Sequence, residues 1–557
     1  DILYRDFTDE DDGPNEADLL GSAADLPLVV TKETTEADEA SQEQAQQKRH
    51  ELESLSSEEL TQTLVTSMIG SRELLPLQKK TLEVLSQGTS CLSVMATGRG
   101  KSLIFQVHAA RVALLQHKMS VFVYPLRALI NDQVQSIKNT FEPLGISVEV
   151  LNGETDLSSR EDLFARMTNN ELDIVLTTPE FFSLHADQFA KAQNISFVVF
   201  DEAHHVGMNA SEGRLAYAQM PQVLKMLGSP QVLATTATAT TQSAQNICEL
   251  LSIEAEHVYK DKTARTNLEL KDLRGAKDRE CALLSLVSDG TKTVVYVNSR
   301  EQAQALTRML RHRIPELGHK IAFYHAGLTP QIRKNVERAF RRGDVCCIIA
   351  TSAFGEGVNI SDIRQVILYH LPFGRVAFNQ MSGRAGRDGK PSVIQMLFDA
   401  HDMRVNERIL SSHAPQREAL VAVYRALTAL QPKLGAQTAD SALTDEDIAQ
   451  MALEIDPRSK ADEQTVRVAL DVFAELGFIS IEGFDQSRTI SVNSQASHMD
   501  LLESARYAEG LKAHTEFESF AQWVLSASPD ELADAITKPI VPEIGSTFDG
   551  GRESSDE

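Results

Sequence analysis

The string Ala96-Thr97-Gly98-Arg99-Gly100-Lys101-Ser102 stands between the apolar run Cys91-Leu92-Ser93-Val94-Met95 and a stretch of helical periodicity. Glycines at 98 and 100 let backbone amides turn toward one point, and a helix start adds its dipole, so the spacing reads as a phosphate cradle. Thr97, Gly98 and Gly100 would form the cradle. Lys101 would reach the β- and γ-phosphates, and Ser102 would ligate magnesium. Met95 stands where the strict motif has its first glycine. About a hundred residues on, Asp201-Glu202-Ala203-His204 follows the run Phe197-Val198-Val199-Phe200. Carboxylates at the end of a buried parallel strand lie at the ligand-binding edge of a sheet. There Asp201 suits magnesium held through water, and Glu202 suits orienting and deprotonating an attacking water. The chemistry implied is nucleoside triphosphate hydrolysis.

Such groups need a scaffold that aims strand ends at one place. Short β-branched or aromatic runs at 120–124, 173–177, 197–200 and 231–235, flanked by helical stretches, predict a doubly wound α/β domain. The pattern restarts at 293–297, 321–324, 346–350 and 365–369, so two such domains stand in tandem, 66–263 and 264–410. Amphipathic helices at 443–455 and 462–476, then short strands at 478–482 and 488–492, outline a winged-helix-like α+β domain within 411–498. Residues 499–557 read as a helix and an acidic tail. Residues 1–65 are poor in aromatics and rich in acids, which predicts a mostly disordered segment, with 43–66 at most a solvated helix.

The 557 residues carry a net charge of −25, which on its face opposes a polyanionic partner. The distribution removes the objection. Residues 1–60 hold 18 acids against 4 bases, and 527–557 hold 8 against 2, whereas 300–343 hold 10 Lys or Arg against 3 acids. No window approaches a membrane span, and the start lacks a secretion signal, so a cytoplasmic protein without membrane partners is expected. The five cysteines form no Cys-x-x-Cys pair, so neither a disulfide framework nor zinc is expected. The chain opens on Asp1 rather than Met, which reads as a piece of a longer or processed polypeptide.

Residues 74–400 resemble the superfamily-two helicases, and among these the RecQ-like DNA helicases, with the motifs in family order. Beyond the two motifs above, the resemblance rests on Pro125-Leu126, Thr178-Pro179-Glu180, Thr236-Ala237-Thr238, Arg265 and Asn267, Asn298-Ser299-Arg300 and Tyr324-His325-Ala326-Gly327-Leu328. It rests also on Ala350-Thr351, Ala353-Phe354-Gly355, Gly357-Val358-Asn359, and Gln380 with Gly383-Arg384-Ala385-Gly386-Arg387-Asp388-Gly389. The resemblance implies two RecA-like domains with ATP and Mg2+ in the cleft between them. It implies Gln78 on adenine, Gly355 and Asp388 lining the nucleotide site, and Gln380, Arg384 and Arg387 acting in hydrolysis. Arginines three residues apart share a helical face and can reach across a cleft to a γ-phosphate. DNA contacts are implied for Arg127, Thr178, Asn298, Arg300 and Thr351. The activity implied is an ATP-dependent, 3′-to-5′ helicase or translocase on single-stranded or partly duplex DNA, in repair or recombination.

The chain also departs from the family pattern. Leu75 replaces the Arg before Pro76 and Gln78, and no cysteine follows Cys347 to build the family's zinc module. In the loop 205–217 the expected Trp, His and Phe fall on Asn209, Ser211 and Gly213, while Arg214 and Tyr217 remain. Stacking on such aromatics is worth ~1–3 kcal/mol per base, so weak stimulation of hydrolysis by DNA is expected. Acids at 462, 463, 471 and 475 against Arg467 favour a structural or protein-binding role for the winged-helix-like region. Rival readings are an RNA helicase, and an ATP-binding regulatory module that unwinds poorly, fused or bound to another DNA enzyme such as a RecJ-like nuclease.

Overall fold

Runs that are apolar on both faces must be covered on both faces, which is the condition of a parallel sheet flanked by helices. The computed structural model, which describes residues 36–96, 98–206, 215–354, 360–434, 444–482, 489–493 and 500–548, meets that condition twice. The first sheet contains β1 (Cys91–Val94), β2 (Met119–Val123), β3 (Val148–Val150), β4 (Ile174–Thr177), β5 (Ile195–Phe200), β6 (Gln231–Thr236) and β7 (Val258–Lys260). The second contains β8 (Leu268–Asp272), β9 (Thr293–Tyr296), β10 (Ile321–Tyr324), β11 (Cys347–Ala350), β12 (Gln365–Leu368) and β13 (Ser392–Met396). An antiparallel pair, β14 (Ile479–Glu482) and β15 (Thr489–Val492), belongs to a third unit, and a short β16 (Ser546–Thr547) returns to the first sheet. The orders are β16-β7-β1-β6-β5-β2-β4-β3 and β10-β11-β9-β12-β13-β8, with every neighbour parallel.

Alternation along the strands splits each domain's core into two layers. Leu92, Val94, Val121 and Val123 pack on one side of the first sheet, and Cys91, Met95, Phe122 and Tyr124 on the other. In the second sheet Val294 and Ile348 face one layer and Val295 and Ile349 the other. Sequence reading passes over β13, which is buried and five residues long, and three short or half-exposed strands. β3 and β7 have three residues each, and β8 alternates Leu, Glu, Leu, Lys and Asp at a sheet edge.

Two stretches differ from expectation. Residues 43–66 are not a solvated linker. Helices Glu36–Glu53 and Ser57–Ile69 lie on the first domain, with Leu52, Leu60, Leu64 and Val65 buried in its core. Arg49 ties the first of them down, donating to both carboxylate oxygens of Asp173 at 2.9 and 3.1 Å and to the Gly145 carbonyl at 2.8 Å. The charged face hides a leucine stripe too sparse for the composition to reveal. The C-terminal stretch is not a free tail either. Helix Ala505–Ser526 buries Phe517, Phe520 and Val524 in the second domain, helix Pro529–Thr537 follows it there, and the chain then crosses to the first sheet as β16. The third unit packs helices Arg417–Leu434, Asp445–Ile455 and Glu463–Glu475 against the β14–β15 pair. No described helix is long and apolar enough to cross a membrane.

Burial of Leu64 makes the N-terminal helices testable. Leu64→Ala should lower the stability of the first domain by about 2–4 kcal/mol, the usual cost of emptying a buried leucine site. A solvated helix would lose less than about 0.5 kcal/mol. Urea unfolding followed by circular dichroism distinguishes the two, and an unmoved midpoint contradicts the packing.

Candidate nucleotide site between the two sheets

The phosphate loop leaves β1 and enters helix Lys101–Gln116 through two left-handed glycines, Gly98 at φ +81° and Gly100 at φ +76°. Gly98 has a second reason to be glycine. A Cβ there would lie 3.3 Å from the Arg387 carbonyl oxygen, so this loop touches the backbone of the other domain. Lys101 Nζ is buried with no hydrogen-bond partner among the described residues, and Glu202 Oε1 stands 3.7 Å from it. A buried ammonium with unused donors, at a helix start whose loop bends through left-handed glycines, fits an anion such as a phosphate.

The acids stand where β5 ends. Thr235 Oγ1 donates to Asp201 Oδ1 at 2.7 Å, and the Glu202 amide donates to the same oxygen at 2.9 Å. Burial, and then the Glu202 charge, raises the Asp201 carboxyl above the usual carboxylate range. Burial alone would raise Glu202 as well, but Lys101, His204 and Arg384 outweigh it and hold that carboxyl below the usual range. Of the two carboxyls, Glu202 is thus the one whose charged form its neighbours favour more. His204 Nδ1 lies 3.4 Å from Glu202 Oε2 and 3.1 Å from Thr236 Oγ1, and that hydroxyl donates to the Thr238 carbonyl. A hydrogen-bonded line thus joins the Asp-Glu-Ala-His turn to the Thr-Ala-Thr turn after β6.

The second domain faces these groups with Gln380, Arg384 and Arg387. Burial, then the neighbouring Arg384 charge, pushes the Arg387 guanidinium well below the usual arginine range. Two cations held this close are costly unless an anion joins them. Arg265 fixes the turn that carries them, donating to the carbonyls of Gly383, Ala385 and Gly386 at 3.2, 2.7 and 2.6 Å. A small cavity of about 30 Å³ lies between the domains, lined by Ala96 and Thr238 on one side and by Gln380 and Gly383 on the other. The structure thus brings Lys101, Ser102, Asp201, Glu202, Gln380, Arg384 and Arg387 to one interdomain cleft.

Other candidates are differently employed. Thr97 and Gly355 lie outside the described residues, as do Asn209, Ser211, Gly213 and Arg214. Tyr217 is described, and it is buried in the first domain's core. Gln78, expected on adenine, spends its amide on the chain: Oε1 accepts from the Leu75 amide at 2.8 Å, and Nε2 donates to the carbonyls of Arg99 and Gly100 at 3.0 and 3.1 Å. It braces the phosphate loop. Asp388, expected at the nucleotide, pairs instead with Arg364 at 2.6 Å on the exposed side of its turn.

The five strand-contact candidates all follow C-terminal ends of strands. Thr178 is buried and caps helix Pro179–Leu184. Asn298 Nδ2 donates to the Leu371 carbonyl and to Asn406 Oδ1, at 2.8 and 2.5 Å, so its amide faces inward. Arg127 is exposed near Glu154, and Arg300 is exposed beside Gly327. Thr351 is half-buried after β11. Sequence reading missed Asp261, whose carboxylate accepts from Arg99 of the phosphate loop at 2.9 and 3.1 Å. An Arg inside a phosphate loop was the available signal.

The DEAD/DEAH box helicase family model matches residues 75–247, and the helicase conserved C-terminal domain model matches residues 277–389. The probable ATP-dependent DNA helicase RecS of Bacillus subtilis (strain 168) is 31% identical over 357 residues, covering 63% of this chain and 69% of that protein. The ATP-dependent DNA helicase RecQ of Pasteurella multocida (strain Pm70) is 30% identical over 351 residues, covering 61% of this chain and 53% of that protein. The chain spans about half the length of the RecQ relatives it matches. Among solved structures, that of the DUF1998 helicase MrfA bound to DNA superposes with a TM-score of 0.52 at 19% identity, covering 79% of this chain and 60% of that one, a likeness of fold.

The bracing role of Gln78 predicts what its loss does. Gln78→Ala should weaken ATP and GTP binding by the same factor, about tenfold, because it frees the loop carbonyls rather than removing a base contact. Titration with both fluorescent nucleotides checks this. A selective loss of ATP would restore the adenine contact.

Proposed function

This chain belongs to the RecQ-like helicases of superfamily two, and on that premise we propose that it is an ATP-dependent DNA helicase or translocase. The observation that carries the reading is the cleft itself, where Glu202 stands by Lys101 on one domain in the field of Arg384 and Arg387 from the other, and Gly98 meets the Arg387 backbone. The ATP phosphates seat on the loop at Gly98 and Gly100, with Lys101 on the β- and γ-phosphates. Magnesium held by Ser102 and Asp201 would neutralise phosphate charge. Glu202, ionised, orients water and takes its proton. Arg384 and Arg387 stabilise charge on the γ-phosphate, which requires the domains to be closed. Closure and release on each turnover would move the two strand-end surfaces that carry Arg127, Arg300 and Thr351 relative to each other. Thr178 and Asn298 would act behind that surface, by shaping the turns.

The finer reading is movement 3′-to-5′ on single-stranded DNA in the cytoplasm, in repair or recombination, with a nuclease or other repair protein as companion. Family resemblance supports it, and the aromatic-poor sequence of 205–217 adds that single strands stimulate hydrolysis weakly. ATP turnover with single-stranded DNA, RNA or neither, beside displacement of a labelled strand from a 3′-tailed duplex, tests the proposal. Stimulation by RNA alone would replace DNA with RNA, and turnover without displacement would leave a regulatory ATPase.

Within this reading Glu202→Gln should keep nucleotide affinity within about threefold while cutting turnover by about a hundredfold or more, since the amide cannot accept a proton. Equal loss of binding and turnover would make Glu202 structural. The checks are fluorescent-nucleotide titration and phosphate release.

A further inference from the structure

The described C-terminal residues form a second crossing between the two domains. The first crossing is the covalent linker after β7, residues 261–265. The second runs the other way and lies against it: the Arg265 amide donates to the Thr537 carbonyl at 2.9 Å. On the second domain Asn379, next to Gln380 on helix Arg375–Ser382, donates to the carbonyls of Ala535 and Lys538 at 2.9 and 3.2 Å. On the first domain the Ala239 amide, just after the Thr-Ala-Thr turn, donates to the Ile540 carbonyl at 3.0 Å. Only Pro539 stands between these anchors. Two residues of extended chain reach about 7 Å, and proline stiffens the span.

Beyond Pro539 the segment is locked onto the first sheet. Lys260 is 3% exposed, and its ammonium donates to the carbonyls of Pro542, Glu543 and Ile544 at 2.7, 2.9 and 2.8 Å. An ammonium has three donors, and here each finds a backbone acceptor on this one segment. β16 then pairs with β7, and the Phe548 amide donates to the Lys260 carbonyl at 2.8 Å. Gly545, at φ +83°, lies so close to β7 that a Cβ would sit 2.1 Å from the Val258 carbonyl oxygen, a contact no side chain tolerates. The next residue of the linker, Asp261, holds Arg99 of the phosphate loop.

We infer that residues 537–548 are a strap that makes the hinge two-stranded, and that Lys260 and Asn379 are positioning residues which through it set Arg384 and Arg387 against the phosphate loop. Both residues act through other groups: Lys260 holds the strap on the first sheet, and Asn379 holds it beside the small cavity that Gln380 also lines. The strap restrains opening at this rim, because the cleft cannot part beyond the reach of Pro539 unless an anchor lets go. It also attaches to the turn after β6 and to helix Arg375–Ser382, which leads into the arginine turn, and the relative placement of these two decides whether the cations meet the phosphate.

The inference deepens the proposed ATPase reading and rests on it for its kinetic half, so the test has a readout that needs no hydrolysis. In the full chain, one dye goes on Cys281, the exposed cysteine of the second domain, and its partner on a cysteine introduced at exposed Lys191 of the first. Without nucleotide, Lys260→Met and Gly545→Val should each lower and broaden the energy transfer relative to the unaltered strap. Turnover at saturating ATP should fall by about a hundredfold, as expected when catalytic groups shift by about 1 Å, with KM changed less than threefold. Asn379→Leu should act in the same direction. Thermal unfolding checks the fold of each variant, and Gly545→Val serves if Lys260→Met does not fold, since it displaces the strap without leaving a buried cavity. Unchanged transfer in a folded Gly545→Val protein overturns the strap, and changed transfer with unchanged kcat overturns the positioning role. If the unaltered protein hydrolyses no ATP, the ATPase proposal fails, and transfer alone decides whether the strap holds the domains.

Discussion

Cations from two domains have to be gathered around one small volume before their anion is there, and like charges resist that. Lys101 brings a buried ammonium from one side, and Arg384 with the buried Arg387 comes from the other. Their mutual repulsion is offset by Glu202, whose carboxyl Lys101, His204 and Arg384 hold below the usual range against its burial. Backbone carbonyls hold the arginine turn through Arg265, and Gly98 lets that turn press directly on the phosphate loop. A binding energy spent partly on relieving repulsion is spent only when phosphate arrives with the domains closed. In the proposed reading, binding would thereby become a conformational signal.

The short linker carries an unusual share of this burden. Successive residues where β7 passes into it face different clients: Lys260, the last of the strand, takes three carbonyls of the C-terminal segment, and Asp261 takes Arg99 of the phosphate loop. At its end Arg265 takes the arginine turn with its guanidinium and the Thr537 carbonyl with its amide. A flexible joint would give the domains freedom at little energetic cost. This one is instead hydrogen-bonded at both ends to the parts that meet across the cleft, through Asp261 and Arg265.

Much of this was legible in the sequence because its cause is local. Strands β1, β2, β4, β5, β6 and β9 to β12 announce themselves by short apolar runs, and the glycines of the loop by its turn. The phosphate-facing side chains lie directly after such runs, so their meeting follows from the topology of parallel sheets. What stayed hidden depends on distant partners. Gln78 and Asn298 carry amides equally able to meet a ligand or a carbonyl, and only the fold shows that the carbonyls of Arg99, Gly100 and Leu371 are in reach. Asp388 could not be told from a ligand contact without knowing that Arg364 stands 2.6 Å away. The N-terminal helices and the returning C-terminal segment hide for another reason. Each buries a few apolar residues within an acidic composition, so averages over the segment point to solvent.

The acids of the third unit show where composition misleads and where it does not. Asp462, Asp471 and Glu475 do make helix Glu463–Glu475 unsuited to phosphates, yet they are not idle surface charge. Asp462 accepts from Ser412 at 2.6 Å, Asp471 pairs with Arg506 at 2.6 Å, and Glu475 accepts from Ser504 at 2.7 Å. Ser504 caps helix Ala505–Ser526, and Arg506 lies in its first turn. The far half of that helix is buried in the second domain and leads through helix Pro529–Thr537 to the segment that crosses the cleft. An acidic face that looks like a rejected DNA reader is therefore a mount. It fastens the third unit to the start of the same continuous chain whose end is clasped by Lys260, so the position of that unit and the geometry of the cleft are mechanically joined along some forty residues.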